Sequence, residues 1–94
     1  MANISKADLI DGVAERTDVS KSQAKEVVDA VLETIQSQLE QGNRVVITGF
    51  GIFEVRERSA RQGVKPGTSE KISIPASRVP AFKPGKGLKE RVSA

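Results

Sequence analysis

The chain has 94 residues, with 15 Lys+Arg against 12 Asp+Glu for a net charge of +3, and 37% apolar residues that include only three aromatics, Phe50, Phe53 and Phe82. This length predicts one domain, 1–94, whose thin core calls for an oligomer, and the basic balance (pI near 9.5) leans towards an anionic partner. With no Cys and no His, disulfide scaffolds, thiolate or imidazole metal sites and Cys- or His-based catalysis are excluded, and no apolar run approaches a membrane span.

Residues 1–43 are expected to be helical. Ser5 with Asp8 three residues on is a capping box opening a helix to about Arg16, with Leu9, Ile10, Val13 and Ala14 on one face. Ser20 and Gln23 repeat the signal, and Ala24, Val27, Val28, Val31, Leu32, Ile35 and Leu39 form one continuous stripe behind them. Gly42, with Asn43 after it, supplies the left-handed end of this second helix. A turn near residues 17–19 makes the pair antiparallel. A DNA-reading helix–turn–helix is disfavoured, because Lys21 and Lys25 are outnumbered there by Glu26, Asp29, Glu33 and Glu40.

The period then switches from 3.6 to 2. Val45–Thr48 and Ile52–Arg58 read as paired strands reversing at Gly49-Phe50-Gly51, where both glycines are expected to relieve a tight turn. Phe53 and Val55 fall on one face of the second strand, with Glu54, Arg56 and Arg58 on the other. From about Arg56 to Arg78 the apolar residues are scattered. Pro66-Gly67 suits a type II turn in the middle, so the stretch is expected to form a two-stranded ribbon projecting as an arm. Pro75 and Pro80 suit edges or bulges.

Charge is polarised along the chain: four basic and eight acidic residues up to 43, eleven basic and four acidic beyond it. Arg56, Arg58 and Arg61 on the outgoing strand, Lys65 at the tip and Lys71 and Arg78 on the return make the arm a candidate nucleic-acid contact. Pro66 is either a turn residue or an apolar wedge between base pairs. Pro84 is expected in the first turn of a short C-terminal helix to about Val92. Lys83, Lys86 and Lys89, every third residue, would form a basic stripe. Gly85-Lys86 lacks the spacing of a phosphate-binding P-loop, so no nucleotide cofactor is expected. Aromatic stacking platforms are missing from the basic half, which favours duplex DNA over RNA.

Gly49-Phe-Gly-Ile-Phe53, Arg58, Arg61, Gly63, Lys65-Pro66-Gly67-Thr68 and Val79-Pro-Ala-Phe82-Lys-Pro-Gly-Lys86 together resemble the bacterial histone-like HU and integration host factor family over essentially the whole chain. The resemblance implies an α+β fold: two N-terminal helices, a three-stranded antiparallel sheet with a long β-ribbon arm, and a short C-terminal helix. It also implies an intertwined homodimer in which Phe50, Phe53 and Phe82 form the interface core. Arg56, Arg58 and Arg61 would meet phosphates or the minor groove and Pro66 would intercalate. Lys83, Lys86 and Lys89 would hold phosphates on the saddle, and Lys6 and Lys21 would contact flanking DNA. The implied function is largely sequence-independent duplex binding, bending and compaction in the cytoplasmic nucleoid, with no enzyme activity, cofactor, membrane or small-molecule substrate. A sequence-preferring integration-host-factor-like subunit and an arm that grips RNA or protein are the alternatives. Val64 stands where the family usually carries an arm-tip Arg.

Overall fold

The computed structural model describes residues 1–64, 66–67 and 69–94; Lys65 and Thr68, and with them the expected contact from Lys65, lie outside the described residues. Helix α1 (Lys6–Thr17) opens on the expected capping box: Asp8 N–H donates to Ser5 Oγ and Ser5 N–H to Asp8 Oδ2, both at 3.1 Å. It ends at Asp18, a non-glycine residue in the left-handed region (φ 56°) that a short polar side chain tolerates. Helix α2 (Lys21–Glu40) repeats the box with Ser20 and Gln23. Its end is a Schellman motif: Asn43 N–H reaches Gln38 O, Gly42 N–H reaches Leu39 O, and Gly42 takes φ 83°.

The chain forms two compact units, Met1–Ser37 and Gln38–Ala94, with the boundary inside α2. In the first, Ala24 is fully buried and Ile10 and Val28 nearly so, with Val13 and Ala14 packed against them. Three buried side chains are a meagre core. Leu9, Val27 and Val31, all on the predicted apolar faces, remain more than half exposed.

The second unit carries strands β1 (Val45–Ile47), β2 (Gly51–Arg58), β3 (Arg61–Val64), β4 (Lys71–Ile74) and β5 (Ser77–Pro84), then helix α3 (Lys86–Ser93). Strands β1, β2 and β5 make an antiparallel sheet in that order, and β3 pairs with β4 alone. Across the gap the pairing offset is unchanged: Arg58 lies opposite Ser77 and Arg61 opposite Ile74, three residues on in one strand and three back in the other. The two sheets are therefore one ribbon, unpaired over residues 59–60 and 75–76.

Proline explains both the continuity and the gap. Pro80 and Pro84 pair with Val55 and Gly51 although neither has an N–H to give, so the hydrogen-bonding rungs of β5 fall on its odd-numbered residues. Counting back in the same alternation puts Pro75 on a rung, opposite Ala60, where its missing N–H deletes the bond. Gly67 takes φ 80°, as a type II turn at Pro66-Gly67 requires.

Two expectations are corrected. Gly49 has the left-handed backbone (φ 84°), but Gly51 does not. Gly51 is needed because a Cβ there would lie 2.6 Å from the Phe82 ring and 2.7 Å from the Lys83 carbonyl oxygen. Gly51→Ala is expected to lower stability by about 1–3 kcal/mol through overpacking, seen as a lower denaturation midpoint in urea. Pro84 ends β5 rather than opening α3. Gly85 is the N-cap and the helix starts at Lys86, since the sheet pairing with Gly51 holds Pro84 in extended backbone.

Candidate nucleic-acid interface

Residues opposite each other in an antiparallel ladder point to the same side, and the sides alternate along each strand. The register therefore sorts the sheet. Phe53, Val55 and Glu57 share a face with Phe82, Pro80 and Arg78; Ile52, Glu54, Arg56 and Arg58 share the other with Lys83, Ala81, Val79 and Ser77. The first is aromatic. Phe82 lies 4.8 Å from Phe53 and 5.5 Å from Phe50 between ring centroids, tilted by 44° and 48°, so one ring links the other two.

The opposite face is the cationic one. Arg56 spends part of its charge locally, its Nε 3.2 Å from Glu54 Oε1 on an exposed surface. Arg58 and Lys83 are exposed and form no ion pair among the described residues. In the arm, Lys71 lies opposite Val64 and shares its face with Gln62 and Ser73. Arg61 lies opposite Ile74, on the face where Ile72 and Ile74 lean over the bare Gly63. The arm thus presents cations on both faces, which suits a strip inserted edge-on between two phosphate rails.

Arg78 departs from the rest. It shares the aromatic face with Glu57, its direct ladder partner, and its guanidinium donates from Nη2 to Leu39 O at 3.4 Å, at the end of α2. A cation at the last carbonyls of a helix is favoured by the helix dipole. Arg78 thus joins the foot of the arm to α2. Lys86 and Lys89 stand on α3 and Lys83 on β5, so the three do not form one helical stripe; Lys86 is 3.9 Å from Glu90, and both are largely exposed. Pro66 is exposed at the arm's turn.

Within the first unit, Lys6 Nζ is 2.6 Å from Asp29 Oδ1, and Lys21 Nζ is 3.4 Å from Asp11 Oδ1. Lys25, which the sequence did not single out, donates to Asp29 Oδ2 at 2.7 Å. Its four-residue spacing from Asp29 on a helix was the available signal. Lys25, through its hydrogen bond, and then Lys6 hold the Asp29 carboxyl below its ordinary value of 3.8 against the opposing effect of burial, and Asp29 in turn raises Lys25 above 10.5.

A cationic sheet face that runs into a narrow ribbon, with an aromatic cluster on the opposite face, defines an architectural nucleic-acid binder of the β-ribbon class. The family model described as bacterial DNA-binding protein matches residues 4–93. The chain is 56% identical over 89 residues to the DNA-binding protein HU of Thermus thermophilus (95% of this chain, 92% of that one). It is 55% identical over 89 residues to HU of Staphylococcus aureus (95% and 99%). Its structure resembles HU in the Anabaena HU–DNA cocrystal structure with a TM-score of 0.85 at 50% identity (95% of this chain, 97% of that one). It also resembles HU from Thermotoga maritima, with a TM-score of 0.68 at 39% identity (94% of this chain, 97% of that one). The chain belongs to the bacterial DNA-binding protein family, as a histone-like DNA-binding protein of the HU type.

Proposed function

We propose that the chain works as a homodimer that grips duplex DNA with two arms in the minor groove, bends it and compacts the chromosome in the nucleoid, without an enzymatic step. The observation that carries this reading is the sorted sheet: exposed cations Arg58 and Lys83 on the face opposite the aromatic cluster, continuing into a ribbon with Arg61 and Lys71 on its two faces. Phosphate neutralisation of this kind carries no sequence information, so the binding is largely sequence-independent. The exposed Leu9, Val27 and Val31, with Phe50 and Phe82 each about two-fifths exposed, are the apolar area a second copy would cover.

In this reading Arg56, Arg58, Arg61 and Lys71 are groove or phosphate contacts, and so is Lys65. Lys83, Lys86 and Lys89 hold phosphates on the saddle, Lys6 and Lys21 meet flanking DNA, and Phe50, Phe53 and Phe82 fill the dimer core. Arg78 is assigned to positioning the foot of the arm, since its guanidinium faces α2. The test is a titration of the protein against random-sequence DNA and a matched RNA duplex at several salt concentrations. A steep fall of log K with log salt, DNA above RNA and indifference to sequence is expected. Tight binding to a few sequences alone would instead mean an integration-host-factor-like reader, and no salt-dependent binding would make the arms protein-directed.

Pro66 sits exposed at the turn and acts as the wedge that opens a base step. Pro66→Ala is expected to reduce the bend, read by FRET between the ends of a labelled duplex, more than it reduces affinity. An unchanged bend would leave Pro66 as a turn residue only.

A further inference from the structure

Asp29 on α2 is approached by two lysines at once, and they are not equivalent. Lys25, one helical turn earlier on α2, donates a well-formed hydrogen bond to Oδ2 at 2.7 Å. Lys6, arriving from α1, lies 2.6 Å from Oδ1, yet that oxygen is screened from solvent and receives no hydrogen bond of good geometry. Lys6 is held by a short ion pair that bridges the two helices. The neighbouring pair is built differently: Lys21 meets Asp11 at 3.4 Å, with no second lysine on that carboxylate among the described residues.

We propose that Lys25 is a positioning residue that keeps Asp29 neutralised, so that Lys6 is free to leave for a DNA phosphate. This rests on the reading that Lys6 meets flanking DNA. A carboxylate with a single lysine partner would oppose the exchange twice, by holding that lysine and by repelling the incoming phosphate once the lysine had gone. A carboxylate already bonded to Lys25 does neither. Fixed on the same helix at i,i+4, Lys25 stays with Asp29 at little further entropic cost, whereas Lys6 bridges two helices and exchanges one anionic partner for another. Among the described residues the Lys21–Asp11 pair lacks this substitute, so Lys21 gives up the one ion pair found for it there on reaching DNA.

The experiment measures the slope of log K against log salt on two random-sequence duplexes, a short one that ends within the reach of the arms and a long one that runs on along the flanks. Each phosphate left without its cation lowers the slope by about 0.9 on duplex DNA. Lys25→Ala is expected to leave the short-duplex slope unchanged and to lower the long-duplex slope by about that amount for each Lys6 retained by Asp29. Adding Asp29→Asn should restore it. Adding Glu26→Gln, which restores the same net charge from the adjacent residue, should not.

The proposal is overturned if Lys25→Ala leaves the long-duplex slope unchanged while Lys6→Ala lowers it. Equal restoration by both second substitutions also overturns it, because net charge would then suffice. Failure of Asp29→Asn to restore the slope makes Lys25 itself a phosphate contact and overturns it too. If Lys6→Ala leaves the long-duplex slope intact, the flanking-DNA reading fails first and takes the proposal with it.

Discussion

Replacing Arg58 and Arg61 together by alanine is expected to weaken binding to every duplex sequence alike, by at least about tenfold at moderate salt, and to flatten the salt slope by about 0.9 for each phosphate no longer neutralised. The expectation follows from the state of these two side chains. Both are exposed and neither forms an ion pair among the described residues, so their full charge is available to DNA. Arg56 differs, since Glu54 lies beside it and part of its charge is already compensated. Arg56→Ala alone should therefore cost less than either neighbour. Anisotropy titrations on two unrelated duplexes at matched salt make the check. A loss confined to one sequence would contradict phosphate-directed binding.

The second large effect is on stability. Phe82 is the ring that touches both Phe50 and Phe53, and its flank roofs Gly51. Phe82→Ala removes both aromatic partners' shared neighbour and leaves a gap above a residue with no side chain to fill it. Phe→Ala costs about 3–5 kcal/mol at fully buried sites. At 39% exposure in the single chain, Phe82 should cost about half of that unless a second copy covers it. Chemical denaturation at several protein concentrations separates the two cases. A loss in the full range, with a midpoint that rises with concentration, places Phe82 in a subunit interface. A smaller, concentration-independent loss confines its role to one protomer.

Local signals in the sequence translated directly into structure. The Ser5/Asp8 and Ser20/Gln23 boxes and the Gly42-Asn43 terminus appear bond for bond, because each is closed by residues within five positions of one another. The alternation that placed Phe53 and Val55 opposite Arg56 and Arg58 also held, since a pleated strand imposes it once the strand is recognised. What stayed hidden depended on distant partners. Arg78 looked like one more arm cation until the fold brought it to Leu39, 39 residues earlier. The requirement for Gly51 comes from the Phe82 ring across the sheet rather than from the turn that Gly51 flanks. Pro75 read as an edge or bulge residue, and only the register shows that it falls on a rung.

The prolines of β5 have a consequence beyond the single molecule. Pro80 and Pro84 point their ring nitrogens away from β2, along the outer border of the sheet, and among residues 78–84 that leaves only Arg78 and Phe82 with an N–H directed outward. A foreign strand arriving at this border would find every second rung missing and a guanidinium at one of those that remain, the pattern by which natural proteins blunt an exposed edge. Many copies can then lie side by side along a polymer at high local concentration without zipping edge to edge into fibres. Crowding, which would endanger a bare sheet of this length, is thus met by residues that cost the protomer none of its own hydrogen bonds.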